Sequence, residues 1–364
     1  MSDFQVERAD LREYRVVDPA PPDLAAGQSL LRVEAFALTA NNVTYGAFGD
    51  ALSYWAFFPT GDPEWGRIPV WGHASVVASA HDGVEEGTRV YGFLPMSTLV
   101  ALTPGRVDER GFVDVASHRA AMAGVYNHYS RVDADPVHDE AREGHRMLLW
   151  PLFFTSFVID DFLADNELFG SDTVVLSSAS SKTAIGTAFQ LAGREGVEVA
   201  GLTSPRNAGF VEGLGVYDRV VTYDDVAALP GDRAAFVDIA GDATVRAGVH
   251  RAYADRLAYS MAVGATHWEQ SAPSPDAEPL PGPAPEFFFA PTQIAKRAKD
   301  WGPGALDERV GTAWRDYLGF CDGWLEIRHG HGPDAVADVY AELLESGSDP
   351  SVGHVLSLWP EGAA

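Results

Sequence analysis

Residues 173–192, TVVLSSASSKTAIGTAFQLA, constrain this chain more than any other stretch, because they read as a buried strand, a tight polar loop and the start of a helix. Residues 173–176 are β-branched and apolar, and 177–183 are small and hydroxyl-rich. Ile185, Ala188, Phe189 and Ala192 then recur at helical spacing. A helix that begins just after such a loop presents unpaired backbone N–H groups and a partial positive charge, which favours a phosphate. Ser180, Ser181, Lys182 and Thr183 are therefore the first candidate cofactor-binding residues, with Lys182 adding a full positive charge.

The glycines of a dinucleotide fingerprint are missing, since Ser178, Ala179, Ser180 and Ser181 stand where G-x-G-x-x-G would leave bare backbone. A P-loop is excluded, because it would need glycine at the positions of Leu176 and Ser181. The plain alternative is an ordinary α/β turn with a serine-rich cap.

A length of 364 residues leads us to expect two lobes, and a hydrophobic content of 46% is ample for packed cores. The formal charge of -26 argues against a nucleic-acid partner, whose phosphates would be repelled. Lys182, Lys296 and Lys299 are the only lysines, which makes a lysine inside a phosphate-type loop conspicuous. One cysteine, Cys321, excludes an intramolecular disulfide and a cysteine-rich zinc site. No run is read as approaching the roughly 20 apolar residues of a membrane span, and the N-terminus lacks signal-peptide features. The expectation is a cytoplasmic protein with no membrane partner.

The first 130 or so residues read as β-rich, with short runs at 29–35, 75–78 and 88–92 divided by Pro and Gly. From Pro151 strand and helix alternate: helix at 153–163, strand at 174–176, helix at 184–193, strand at 197–202, helix at 208–214, and strands at 219–222, 235–239 and 257–263. Such alternation implies parallel βαβ units with right-handed crossovers. Residues 271–285, SAPSPDAEPLPGPAP, are too rich in proline for either element and read as a surface insertion. Helices follow at 293–301, 311–322 and 335–345, and a last strand at 353–358.

Several collinear phrases resemble the medium-chain dehydrogenase/reductase superfamily, on its zinc-free quinone-oxidoreductase-like side. LLRVEAFALTANNVTYGAFG (30–49) is similar to an early strand and substrate loop, IPVWGHASVVAS (68–79) to the P-x-x-x-G-H-E segment, and GTRVYGFLP (87–95) to the G-D-R-V phrase. PLFFTSFVIDDFL (151–163) resembles the P-x-x-x-T-A helix, and AFVDIAG (235–241) the fourth strand of the cofactor domain. The resemblance implies an α/β fold: a Rossmann-type doubly wound parallel sheet plus a β-rich GroES-like catalytic domain, with a cleft between them. It divides the chain into a GroES-like domain at 1–145, a Rossmann-type cofactor domain at 146–300 carrying the proline-rich insertion, and a C-terminal return to the catalytic domain at 301–364. Relatives are commonly homodimers, so a homodimer is expected here.

Departures from the pattern matter as much. Catalytic zinc in the alcohol-dehydrogenase branch needs a cysteine after the first strands and the G-H-E pair. Here no cysteine lies nearby and Ala74 follows His73, so no metal is expected and His73 reads as a hydrogen-bonded structural residue.

NAD-selective domains place Asp or Glu at the end of the second strand, where this chain has Gly201-Leu202-Thr203-Ser204-Pro205-Arg206. Ser204 can donate to a 2′-phosphate and Arg206 can offer a charge-assisted fork, which favours NADP(H). The alternative is that Thr203 and Ser204 cap the next helix while Arg206 is solvated. By resemblance, Tyr223 falls near the adenosine phosphate, and Gly241 and Gly264 pass beside the nicotinamide.

Hydride transfer without a metal requires donors at the developing oxyanion. The resemblance nominates Asn42 and Tyr45 as catalytic residues that orient or protonate a small-molecule substrate, beside an aromatic wall of Tyr54, Trp55, Phe57 and Phe58. Turn formation by Asn42 and packing by Tyr45 remain open alternatives. The sequence thus points to an NADPH-dependent, zinc-free oxidoreductase acting on an enone, quinone or activated carbonyl. Two alternatives stand beside it: a non-redox lyase or isomerase on the same fold, and a non-enzymatic NADPH-binding sensor.

Overall fold

Extended β-branched and aromatic runs dominate the first third of the chain, and they form strands β1 (Asp3–Glu7), β2 (Tyr14–Val17), β3 (Ser29–Leu38), β4 (Trp65–Gly66), β5 (Pro69–Ser79), β6 (Arg89–Pro95), β7 (Leu99–Leu102), β8 (Pro104–Asp108), β9 (Gly111–Asp114) and β10 (His128–Arg131). The computed structural model describes residues 1–263, 279–302, 304–345 and 348–363. By contact density these residues divide into one unit of Met1–Leu148 with Glu326–Ala364, and a second of Leu149–Leu325.

In the first unit a nine-stranded sheet runs β17-β18-β3-β5-β6-β10-β9-β8, with β7 paired to β3, and a small sheet runs β2-β1-β4. Here β17 is Glu326–His331 and β18 is Val352–Ser357, the two joined in parallel across helix α8 (Gly332–Leu344). β18 then pairs antiparallel with β3, through His354 opposite Leu38. The C-terminal segment therefore completes the sheet begun near the N-terminus.

Residues 40–47 form helix α1 where the sequence reading expects a substrate loop. The helix is short because Gly46 and Gly49 lie within it and just after it, and its start is set by Thr39 and Asn42. The Thr39 N–H donates to Asn42 Oδ1 at 2.8 Å, the reciprocal half of a capping box.

The second unit holds β11 (Thr173–Ser177), β12 (Glu198–Thr203), β13 (Arg219–Thr222), β14 (Ala234–Asp238), β15 (Leu257–Ala262) and β16 (Glu286–Phe287). All neighbours pair in parallel, in the order β13-β12-β11-β14-β15-β16. Numbered from β11, that is 3-2-1-4-5-6, the doubly wound order of dinucleotide-binding sheets. The expected α/β architecture with a second, β-rich part is present. Both faces of such a sheet are covered, so its strands are buried throughout: every residue of β11 and β14 is buried.

The helices of this unit are α2 (Glu143–Asp165), α3 (Lys182–Leu191), α4 (Ala208–Gly213), α5 (Ala243–Tyr253), α6 (Ala290–Trp301) and α7 (Ala305–Cys321), and the unit boundary falls inside α2. Contrary to the sequence reading, one helix among the described residues, Glu140–Asp165, is long and apolar enough to cross a membrane by length and composition. Half of its apolar window is buried, with Phe153, Ile159 and Leu163 almost fully enclosed. Its interior acids are paired, Asp160 with Arg194 at 2.6 Å and Asp161 with Arg297 at 2.6 Å. These are the contacts of a core helix.

Of the proline-rich stretch, 271–278 lie outside the described residues, and 279–285 form neither helix nor strand. Helix α5 fixes their position through His250, whose Nε2 lies 2.9 Å from Ser260 Oγ and whose Nδ1 lies 2.8 Å from the Pro281 carbonyl. Burial lowers the pKa of His250 below its ordinary value, so the folded protein holds it neutral. The unfolded chain takes up that proton below about pH 6.5, which makes this contribution to stability fall as pH drops through that value toward the lowered folded one. Denaturant unfolding followed between about pH 7 and about pH 5 should show a shallower loss of stability in His250→Asn than in the unaltered protein. Parallel pH slopes would remove His250 as the cause.

Candidate functional site

In an open parallel sheet, ligands bind beyond the carboxyl ends of the strands where the strand order reverses. Here the reversal lies between β11 and β14, and one buried network ties their ends together. Ser177 Oγ donates to Asp238 Oδ1 at 2.8 Å and accepts from the N–H groups of Ile239 and Ala240, each at 2.9 Å. Asp238 Oδ1 also accepts from the Gly241 N–H at 3.0 Å, and its Oδ2 pairs with Arg246 Nε at 2.7 Å. Gly241 has a φ of +70°, a left-handed conformation that glycine adopts without strain. The turn after β14 is thereby folded back against the end of β11, and Asp242 caps α5 by accepting from Thr244 and Val245.

The loop after β11 makes the turn without glycine. Ser178 adopts φ +52°, the left-handed conformation that the first glycine of a fingerprint would supply. The Ser181 N–H donates to the Ser178 carbonyl at 2.7 Å, and the Ser181 hydroxyl caps α3 by accepting from Ala184 N at 3.3 Å.

Side chains from the neighbouring segments brace this loop. Tyr223 Oη accepts from the Ser178 N–H at 3.1 Å, Tyr217 Oη donates to the Ala179 carbonyl at 2.8 Å, and Asn207 Nδ2 donates to Ser180 Oγ at 3.0 Å. Desolvation pushes the Tyr223 pKa up to about 12, so its hydroxyl stays neutral. A β-carbon at Gly201 would lie 2.8 Å from the Tyr217 ring and 3.0 Å from the Ala179 side chain, so the bare backbone of β12 is what admits Tyr217 against the loop.

Six sequence-nominated residues thus gather around the strand-order reversal: Ser180, Ser181, Lys182 and Thr183 in the loop and first turn of α3, Tyr223 against Ser178, and Gly241 after β14. Ser204 and Arg206 follow β12, Ser204 at the head of a short turn without capping it through its side chain, and Arg206 exposed. No carboxylate occupies positions 203–206. Gly264 lies outside the described residues. Sequence reasoning passed over Ser177, Tyr217 and Arg246, although Asp238 stood in a quoted phrase. Their importance comes from contacts across 8 to 63 positions of chain, which no local pattern carries.

In the first unit, Asn42 and Tyr45 both sit on α1. The Asn42 amide is committed to local structure, with Oδ1 accepting from Thr39 and Nδ2 donating to the Pro69 carbonyl at 2.9 Å. Tyr45 is buried, stacked on Tyr54 at 4.4 Å, and burial raises its pKa above the ordinary value. Tyr54 in turn has its hydroxyl 3.1 Å from that of Tyr126. Trp55, Phe57 and Phe58 are buried as well, so the expected aromatic wall is built into the core of its unit.

The hydrogen-bonded His73 expected from sequence is not found: its ring is 1% exposed, and neither nitrogen has a hydrogen-bond partner among the described residues. Burial lowers its pKa to about 4. On β5 its neighbours across the strands are backbone pairs, already satisfied within the sheet.

Asp238→Asn should cost about 3 kcal/mol of stability, because Arg246 would be left facing an uncharged and partly repulsive amide in a nearly dry site. Urea unfolding measures it. An unchanged midpoint would mean that the bridge contributes nothing to holding β11 and β14 in place.

Known structures share this fold along nearly all of its length. CurA from Vibrio vulnificus, in complex with NADPH, has 14% identity and a TM-score of 0.61, covering 98% of this chain and 99% of that one. The quinone oxidoreductase from Coxiella burnetii has 14% identity and a TM-score of 0.54, over 98% and 99%. Haloferax mediterranei glucose dehydrogenase, in complex with NADP, Zn and gluconolactone, has 12% identity and a TM-score of 0.55, over 98% and 99%. The chain thus shares its fold with these proteins, and that fold is the α/β architecture with a second, β-rich part that the sequence phrases implied. By sequence the chain matches no curated protein. A family model described as "Protein of unknown function (DUF2855)" matches residues 36–349.

Proposed function

The chain belongs to the family of proteins of unknown function DUF2855, and from that premise we propose that it is an NADPH-dependent, zinc-independent oxidoreductase reducing an enone, quinone or related activated carbonyl by hydride transfer. The observation that carries this reading is the braced turn at the strand-order reversal, where the loop after β11 and the turn after β14 are held together by Ser177 and Asp238. CurA, which shares the fold, is described in complex with NADPH.

The residues present fit the nucleotide. The left-handed Ser178 gives the chain reversal that brings the start of α3 to the strand end, and Ser180, Ser181, Lys182 and Thr183 offer hydroxyls and charge to a pyrophosphate. Ser204 and Arg206, with no carboxylate among residues 203–206, suit the 2′-phosphate that separates NADP from NAD. Bound NADPH supplies the hydride. Tyr45, kept protonated by burial, is the residue we assign to orient or protonate the small-molecule substrate, with Asn42 holding the turn of α1 beneath it. A cytoplasmic homodimer without nucleic-acid or membrane partners completes the reading.

One observation favours an alternative, a non-redox lyase or isomerase. The Ser178 N–H, a donor that a glycine loop would leave for phosphate, is already taken by Tyr223.

Calorimetry with NADPH and NADH tests the cofactor. We expect NADPH to bind, and Arg206→Ala to weaken it roughly tenfold or more while NADH changes little, as loss of a charge-assisted bond requires. Equal losses for both would remove the 2′-phosphate contact, and failure of either to bind would remove the redox reading. In an NADPH-oxidation assay over quinones, enones and aldehydes, Tyr45→Phe should lower kcat by about 10² or more at unchanged NADPH affinity. Full turnover in that variant would return Tyr45 to packing, and silence of the unaltered protein toward every substrate would favour the lyase or sensor.

A further inference from the structure

His73 is an unexplained group. A buried imidazole normally satisfies at least one nitrogen, yet both of its ring nitrogens are enclosed without a hydrogen-bond partner among the described residues. Two other donors face it. His138, in the connection after β10, has its ring centroid 6.3 Å from that of His73, and Glu143 is the first residue of α2. One nitrogen of each histidine and one carboxylate oxygen lie within 4.8 Å of one another.

We propose that His73, His138 and Glu143 bind a divalent transition-metal ion of the zinc class, in a site built wholly within the first unit.

The geometry suits the ion. Ligand atoms about 2.1 Å from a tetrahedral metal stand roughly 3.4 Å apart, and His138 Nε2 lies 3.6 Å from Glu143 Oε1. A His73 ring nitrogen lies within 4.8 Å of both. Two imidazoles and one carboxylate form the nitrogen and oxygen set that zinc accepts, with the fourth position left to water.

The surroundings prepare the donors. Arg89 grips Glu143 with both terminal nitrogens, Nη2 to Oε2 at 2.8 Å, while its Nε reaches Glu34 at 2.7 Å. That fork fixes the plane of the carboxylate and leaves its remaining lone pairs for a metal, as an outer partner of a ligand does.

This arrangement differs from the cysteine and G-H-E pattern, which the chain lacks: Ala74 follows His73, and Cys321 belongs to the other unit. The ion ties β5 to the start of α2, and none of its three ligands is a residue assigned to the nucleotide or to the substrate. The nucleotide reading therefore stands or falls on the NADPH titration alone.

The full-length protein is stripped with a chelator and titrated with CoCl2, then with ZnCl2. One Co²⁺ per chain should bind with a visible ligand-field absorbance, Zn²⁺ should displace it, and Zn²⁺ should raise the thermal midpoint. His138→Ala and Glu143→Gln should each weaken Co²⁺ binding tenfold or more and abolish the Zn²⁺ shift. His138 is partly exposed, so its variant keeps the fold even if loss of the Arg89 pair destabilises the other, and circular dichroism of the stripped proteins checks this. Absence of the absorbance in folded, unaltered protein would overturn the site, and so would equal Co²⁺ affinity in the unaltered protein and folded His138→Ala.

Discussion

The buried bridge from Ser177 through Asp238 to Arg246 is the constraint on which the parallel-sheet half of this molecule depends. Two parallel strands that feed helices on opposite faces of a sheet must part at their carboxyl ends, and the turns that follow expose backbone donors with no strand partner. Ser177 Oγ accepts two of those donors and Asp238 accepts a third. Arg246, one turn into α5, then balances the carboxylate charge. Leaving a buried carboxylate unpaired costs far more than forming the pair gains, so the network is indispensable even where its net contribution is small.

That bridge makes a glycine-free loop workable. The usual fingerprint lets backbone approach a pyrophosphate because glycine has no side chain. Here Ser178 takes the left-handed conformation itself, and Tyr217, Tyr223 and Asn207 brace the turn from neighbouring segments. The room for Tyr217 comes from Gly201 on β12, so the missing side chain has moved from the loop to the strand beside it. Hydroxyls and Lys182 stand at the head of α3, where bare amides would otherwise serve alone.

Much of the fold was legible in local pattern. Residues 219–222 form β13 as read, and the strands and helices from β11 to β13 lie within two residues of their expected ends, because a buried parallel strand is a continuous apolar run and a helix beside it has one apolar stripe. Helices α1 and α5 were passed over. The first is eight residues with two asparagines and a glycine, and the second shows only Val245, Val249 and Tyr253 as an apolar stripe among polar and small residues; both are started by caps, Thr39 with Asn42 and Asp242, whose effect depends on backbone geometry. Strand β17, with four of its six residues exposed and none buried, is a strand because β18 lies beside it.

The candidate sites divide in the same way. Composition and phrase order determined by themselves that this is an acidic two-part α/β chain with a hydroxyl-rich turn between a buried strand and a helix, since those properties live in neighbouring residues. Tertiary structure alone decided that Ser177 meets Asp238 across 61 positions, that the Asn42 amide is spent on Thr39 and Pro69, and that His73, without a hydrogen-bond partner among the described residues, stands near His138 and Glu143. Hydrogen bonds and metal ligands act over a few ångströms whatever the distance along the chain, so such groupings exist only once the sheets have formed.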